Sequence, residues 1–147
     1  VDADTCLEAR WRALQNPLLQ AGYQAVPAFP DEAGVILQPP PQSLFPRVGL
    51  WLMPDNRTKG MLEDFLRYLV PTPSPLFQYV EHCVNEIPKE CLRFSMTAKP
   101  KALIHTWLAW QEEPGKPLGT AIKARYLDAN VPEAAMFMAW LRRLFIA

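Results

Sequence analysis

Sixteen prolines divide this chain of 147 residues into short segments, and they constrain its fold more than any other sequence feature. Proline fixes one backbone dihedral and has no N–H to donate, so helices and strands tend to begin or end near it. The prolines cluster between apolar segments, most densely at Pro39-Pro40-Pro41. Half of the residues are apolar, which is enough for a hydrophobic core. We therefore expect one domain over residues 1–147, built from short elements.

The clearest predicted strand is Val48–Met53, which is apolar on both faces, as expected for a strand covered on two sides. Shorter strands are predicted at Tyr23–Val26 and Gly34–Gln38, and Val1–Asp4 has the pattern of a strand end. Strands interleaved with helices indicate an α/β fold with a partly parallel sheet flanked by helices. So few strands predict that the first of them precede Val1, in a chain truncated at its N-terminus.

Helices are predicted to dominate the C-terminal half. Thr5 and Glu8 have the spacing of a capping box before a first helix, which Pro17 should kink and Gly22 should stop. The other predicted helices are Gly60–Val70, Leu76–Ile87, Lys99–Gln111, Leu118–Tyr126 and Glu133–Phe145. Pro132 suits the first position of the last helix, on which Met136 and Trp140 are expected to be buried. Trp107 and Trp110 are expected to make contacts on the helix Lys99–Gln111.

Charge, cysteine content and hydropathy narrow the class of protein. The formal net charge is zero, but residues 1–88 carry 6 Lys/Arg against 10 Asp/Glu and residues 89–147 carry 9 against 5. This asymmetry fits a metal site beside a phosphate-binding surface, and it equally fits internal charge balance. Three cysteines without a CxxC pair favour reduced thiols in the cytoplasm. No apolar run approaches the ~20 residues of a membrane helix, so no membrane association is expected.

Two carboxylates, Asp2 and Asp4, stand two residues apart where an extended segment ends and a helix is predicted to begin. Side chains at i and i+2 of an extended segment point the same way, so the pair can face one ligand. Carboxylate oxygens at such a position suit Mg²⁺ or Mn²⁺. The alternative is structural, with Asp4 capping the helix and Asp2 exposed to solvent.

A second acidic group follows the predicted strand Val48–Met53. Asp55 stands at the end of that strand and could approach Asp2 and Asp4 if the two strands are neighbours. Glu63 and Asp64 fall in the first turn of the next helix, where the helix dipole alone is enough to explain them. Several carboxylates converging on one point would need a cation to offset their repulsion.

These features, taken in order, resemble an uncharacterised prokaryotic family grouped with the Toprim-like domains of the overcoming-lysogenization-defect nucleases. The resemblance rests on several stretches: the DxD pair, Met53-Pro54-Asp55-Asn56, Leu62-Glu63-Asp64-Phe65, Lys101-Ala102, His105 to Trp110, Glu113-Pro114-Gly115 and Phe137 to Leu141. It extends over nearly the whole chain.

The resemblance implies a divalent metal site for phosphodiester chemistry. Asp2 and Asp4 match the metal-binding DxD aspartates, Asp55 is a further candidate ligand, and Glu63 is the strongest candidate among the later acidic residues. The glutamate that completes such sites would lie before Val1. Lys101 is a candidate phosphate contact, with a solvated charge in a first helical turn as its alternative.

Three functions follow from these readings. The first is Mg²⁺-dependent phosphoryl transfer or nuclease-like activity, with nucleic acid or a nucleotide phosphate as partner. The second is a non-catalytic interaction module that binds a protein through the apolar C-terminal helix, which ends Leu144-Phe145-Ile146-Ala147. The third is a sensor of nucleotides or other small phosphates that uses the same acidic site.

Overall fold

The computed structural model describes residues 1–146, and the chain divides into two compact units. The first unit contains Val1–Phe65 and the segment that begins at Pro132, and the second contains Leu66–Val131. Ala147, the last residue of the predicted apolar C-terminus, lies outside the described residues. The single domain predicted for residues 1–147 stays a prediction.

Helices and short strands are mixed along the chain, which confirms the α/β class. The elements are α1 (Leu7–Gln20), β1 (Val35–Leu37), β2 (Val48–Leu50), α2 (Leu62–Tyr68), α3 (Pro75–Asn85), α4 (Lys99–Ala109), α5 (Leu118–Ala121) and α6 (Pro132–Phe145). Two short 3₁₀ helices, Lys89–Cys91 and Met96–Ala98, precede α4. In the described part of the chain, no helix is long and apolar enough to cross a membrane.

The regular sheet within residues 1–146 differs from the partly parallel one that the sequence predicts. It has two antiparallel strands, with Val35 opposite Leu50 and Leu37 opposite Val48. Among these described residues, parallel pairing is limited to one bridge, between Asp2 and Met53. The strand predicted at 23–26 is absent because Ala25 has a φ of 57°, which interrupts an extended backbone.

Helix α1 differs from the prediction at its start. Its N-cap is Cys6, which makes no side-chain capping hydrogen bond, so Thr5 does not form the predicted capping box. The helix continues through Pro17, where the ring removes one backbone donor, while Trp11 on the same helix is buried in the core. The burial of Trp11 offsets the free energy lost with the missing hydrogen bond at Pro17.

The end of α1 matches the prediction at Gly22. The amide of Gly22 donates to the carbonyl of Leu19, and that of Tyr23 donates to Leu18, both at 3.0 Å. These two bonds form a Schellman motif, which requires a left-handed residue after the helix. Gly22 supplies it with a φ of 87°.

The core of the first unit lies between α1 and the β1–β2 sheet. Its fully buried members are Ala3, Trp11, Tyr23, Val35, Leu37, Leu50 and Leu52. The Trp11 indole N–H also donates to the carbonyl of Pro27 at 3.2 Å, so the loop after α1 is tied back to the helix. This core holds the N-terminal segment in place, because Ala3 is completely buried within it.

Helix α6 packs on the other side of the sheet through aromatic rings. Trp140 donates its indole N–H to the carbonyl of Val35 at 3.3 Å, and its ring lies 5.6 Å from that of Trp51. Phe137 contacts Trp51 and Phe65 at ring distances of 5.3 and 5.4 Å. Trp140 is buried as predicted, whereas Met136 is 37% exposed, because only one narrow stripe of α6 faces the sheet.

In the second unit, α3 and α4 pack against each other. Pro75 occupies the first turn of α3, and the Ser74 hydroxyl caps it by accepting from the amide of Phe77 at 3.3 Å. The rings of Phe77 and Trp107 meet at 6.1 Å. Both tryptophans make contacts, as expected: Trp107 is buried, and Trp110, at the C-cap of α4 and 44% exposed, has its ring 5.9 Å from that of Tyr79.

Candidate metal centre

The N-terminal segment lies parallel to the continuation of β2. The carbonyl of Val1 accepts from the amide of Met53 at 2.8 Å, and the carbonyl of Met53 accepts from the amide of Ala3 at 3.2 Å. Parallel segments bring their carboxyl ends to one edge, where ligands of α/β proteins commonly bind. The structure therefore makes neighbours of the two segments that end in Asp4 and Asp55.

A third segment joins this edge through Gly60. The amide of Asp4 donates to the carbonyl of Gly60 at 2.8 Å, and Asp4 itself has a φ of 54°, which ends the extended run. The Asp2 carboxylate then reaches across the chain, and its Oδ1 accepts from the amide of Leu62 at 2.9 Å. Leu62 is the first residue of α2, so Asp2 satisfies one of the amides that a helix start leaves without an intrahelical partner.

Asp4 forms an ion pair with the Arg10 guanidinium on α1. Both side chains are partly open to solvent, at 47% for Asp4 and 40% for Arg10. Asp4 does not cap α1, whose N-cap is Cys6. Asp4 therefore does not have the helix-capping role that was the alternative to metal binding, and it contacts a cationic side chain instead.

Asp55 organises the turn that follows Met53. Its Oδ1 accepts from the amides of Arg57 and Thr58 at 3.0 and 2.8 Å, and from the Thr58 hydroxyl at 3.0 Å. Such side-chain bonds to the backbone two and three residues ahead are typical of Asx turns. One oxygen of Asp55 thus has a structural task, while its place at the end of the β2 continuation agrees with the sequence analysis.

Glu63 and Asp64 lie in the first turn of α2, as predicted. Glu63 is buried, at 4% exposure, whereas Asp64 directs Oδ2 to the amide of Met61 at 2.9 Å. Glu63 thus lies in the interior of the first unit, where a carboxylate needs polar or charged partners.

Both the backbone conformation at position 60 and the space around it require glycine. Its φ of 148° is one that residues with a side chain rarely adopt. A β-carbon there would lie 2.7 Å from Oδ2 of Asp64 and 3.0 Å from Cδ of Pro54. Glycine thus allows the close approach between the Asp4 segment and the start of α2.

Lys101 belongs to the second unit, in the first turn of α4, and its side chain is exposed. His105 is on the same helix and is exposed as well. The phosphate contact suggested for Lys101 from its sequence position stays a prediction.

The donors at Asp2 and Asp4 suit a hard divalent cation in type. Across residues 1–146, no group of three or more His, Cys, Asp or Glu is placed to hold a metal ion, so the predicted convergence of three or four carboxylates is not formed. Mg²⁺, however, keeps several waters and commonly binds through one or two carboxylates plus substrate phosphate. The Leu62 amide binds Oδ1 of Asp2 and the Arg10 guanidinium binds Oδ2 of Asp4, so a ligand would bind through the other oxygen of each carboxylate.

An open groove of about 260 Å³ borders Asp4. It is lined by Ala3, Asp4, Thr5, Cys6, Ala9, Arg10 and Ala13. The alanines leave room between the N-terminal segment and α1, and Asp4 and Arg10 place one negative and one positive group on its wall. A ligand carrying both a cation and an anion could meet both groups here.

The start of α1 also perturbs one titrating group near this groove. The pKa of Glu8 lies below its ordinary value of 4.5, chiefly because backbone hydrogen bonding stabilises the carboxylate and secondly because the Cys6 thiol donates to it. The Cys6 sulfur lies 3.4 Å from Oε2 of Glu8. The carboxylate form is thus favoured at this helix start.

Two contacts of this site were missed from the sequence. Arg10 was not considered, although it falls one turn after the start of the predicted helix and therefore close to the DxD pair. The Leu62 amide could not be found from local patterns, because it lies 60 residues from Asp2. The amphipathic pattern of α1 is the signal that could have pointed to Arg10.

The fold and site define a mixed helix-and-strand protein with an aspartate pair at the end of two parallel segments. A family model described as "Protein of unknown function (DUF3226)" matches residues 1–146, and the chain belongs to this family. No curated protein and no solved structure matches the chain.

Proposed function

We propose that this chain is a Toprim-like protein whose Asp2 and Asp4 bind Mg²⁺ or Mn²⁺ for phosphoryl-transfer or nuclease-like chemistry on a phosphate-containing partner, either nucleic acid or nucleotide. The observation that carries the proposal is the parallel pairing of the Asp2 segment with Met53. It supports an aspartate pair at the carboxyl end of paired segments, as the resemblance implies.

In this proposal each residue has a distinct task. Asp2 and Asp4 provide carboxylate oxygens, while the amide of Leu62 fixes the orientation of Asp2. A bound divalent ion would polarise a phosphate and lower the pKa of a coordinated water. Asp55 is proposed as a further metal ligand, and Glu63 and Lys101 as catalytic residues, from the resemblance. From the same resemblance and the cysteine content, we also propose that the protein is prokaryotic and located in the cytoplasm.

The test is a titration of the chain with Mn²⁺, followed by calorimetry and by electron paramagnetic resonance of the free ion. We expect binding that Asp2→Asn abolishes, because the amide oxygen keeps the Leu62 hydrogen bond but carries no charge. The matched control is Asp31→Asn, since Asp31 also accepts from a backbone amide, that of Ala33 at 2.8 Å. Equal Mn²⁺ affinity of Asp2→Asn and the unmodified chain would overturn the proposal.

A second candidate function is a non-catalytic module that binds a protein partner through α6. The observation that favours it is the exposure of apolar side chains on and just after this helix, with Met138 at 45%, Phe145 at 77% and Ile146 at 75%. Exposed apolar groups of this kind occur at protein interfaces. Sedimentation tests this function by measuring whether the chain associates, and whether a Met138→Lys variant, with a charge on the exposed face of α6, associates less. A chain that stays monomeric and binds Mn²⁺ would support the metal-dependent function instead.

A further inference from the structure

The ion pair between Asp4 and Arg10 carries an inference beyond metal binding itself, and it rests on the proposed function. A carboxylate that binds a divalent ion in this groove already has a cationic partner. The Arg10 guanidinium and an incoming divalent cation therefore compete for the Asp4 carboxylate.

We propose that Arg10 regulates the site by exchange: it holds Asp4 while the site is empty, and it transfers to the phosphate group of the ligand when a divalent ion binds Asp4. The groove is the space in which this exchange takes place. Its wall also includes the small side chains of Ala9 and Ala13, which leave space beside Arg10 for the guanidinium to move away from Asp4.

The energy of the contact fits an exchange rather than a fixed structural role. Arg10 and Asp4 are both half-exposed, and ion pairs of this kind contribute little to stability because water screens them. Such a pair can therefore be broken by a ligand at small cost. Guanidinium also binds phosphate well, because its planar set of N–H donors matches phosphate oxygens.

This exchange makes the two ligand components cooperative. An ion on Asp4 frees Arg10 for phosphate, and phosphate on Arg10 frees Asp4 for the ion. Binding linkage requires each component to raise the affinity for the other by the same factor. The ligand class is consequently a phosphate monoester or diester bound together with a divalent cation.

The experiment measures the Mn²⁺ dissociation constant of the unmodified chain, of Arg10→Gln and of Arg12→Gln by electron paramagnetic resonance, with and without phenyl phosphate. Arg12 is the matched control, since it removes the same charge from the same helix and is exposed. Circular dichroism confirms that both variants keep their helix content. Without phosphate, Arg10→Gln should bind Mn²⁺ about two- to fivefold more tightly, the range expected for loss of a surface ion pair.

Phenyl phosphate should tighten Mn²⁺ binding by the unmodified chain and by Arg12→Gln, and this gain should vanish in Arg10→Gln. Mn²⁺ binding that is equal in Arg10→Gln and Arg12→Gln would overturn the exchange and leave the metal site intact. A phosphate effect that persists in Arg10→Gln would also overturn it. Absence of Mn²⁺ binding in every variant would instead overturn the proposed function on which the exchange rests.

Discussion

At the scale of single residues, each aspartate of the candidate site has a defined contact. Asp2 accepts from the start of α2, Asp4 pairs with α1, and Asp55 holds its own turn. These contacts fix the side chains at little cost in further ordering, which is the kind of preorganisation that a binding site needs. The same contacts also compete with a ligand, most directly at Asp4.

Gly60 gives the sharpest prediction at this scale. Gly60→Ala should lower the free energy of unfolding by about 1–3 kcal/mol, because the backbone is strained for alanine and the new methyl meets Asp64 and Pro54. Urea denaturation measures the change. Gly119→Ala is the control, since nothing lies within 4 Å of a β-carbon there and alanine favours its helix α5. Equal stability of both variants would contradict the assigned role of Gly60.

At the scale of elements, α6 approaches the sheet at positions where glycine leaves space. A β-carbon on Gly49 of β2 would overlap with side-chain atoms of Leu144 and lie 2.9 Å from Cζ2 of Trp140. The outer face of β2 is thus shaped to receive one helix. The apolar pattern of Val48–Met53 predicted such two-sided burial from sequence.

Substituting Gly49→Ala should therefore destabilise the chain by about 1–3 kcal/mol through overpacking. Leu144→Ala is expected to remove the main obstacle, so the double variant should lose less stability than the two single variants added together. Thermal and urea unfolding of all four chains measure this coupling. Strict additivity would contradict the direct packing of Leu144 on Gly49.

Acid should weaken the N-terminal end of α1 through Glu8. The folded-state pKa of Glu8 is lowered, so its carboxylate stabilises the fold above the ordinary value of 4.5 and this contribution is lost as pH falls through the folded-state pKa. Glu8→Gln should consequently have a lower melting temperature than the unmodified chain near neutral pH, and the gap should close once the pH falls below the folded-state pKa of Glu8. A gap that persists in acid, or one matched by Glu112→Gln in the other unit, would contradict this assignment.

The elements show which parts of the fold the sequence could predict. Strand β1 and the helices α3, α4 and α6 follow local periodicity and proline placement, and their predicted positions agree to within a few residues. The strand at 23–26 failed because the left-handed conformation of Ala25 leaves no sequence signal. Helix α1 continues through Pro17, and the burial of Trp11 on the same helix is a tertiary contact that sequence periodicity alone does not weigh against the proline.

At the scale of the whole molecule, the structure places the predicted site residues, and their metal-binding role stays a prediction. The bridge between Asp2 and Met53 makes neighbours of the segments that carry Asp4 and Asp55, an arrangement that the sequence offered as a condition. The separate partners of Asp4 and Asp55 depend on Arg10 and on a local turn, which no spacing rule could predict. Sequence reasoning therefore reached the neighbouring segments but not the contacts that each aspartate makes within them.

The most direct measurement of the central claim is the broadening of backbone amide signals in nuclear magnetic resonance spectra as Mn²⁺ is added to the isotope-labelled chain. The account predicts that signals of Ala3, Asp4 and Leu62 broaden first, at the lowest Mn²⁺ concentrations, and that Asp2→Asn removes this effect. Broadening that begins at other exposed carboxylates, such as Asp31 or Asp128, or that leaves Ala3 and Leu62 unchanged, would contradict it.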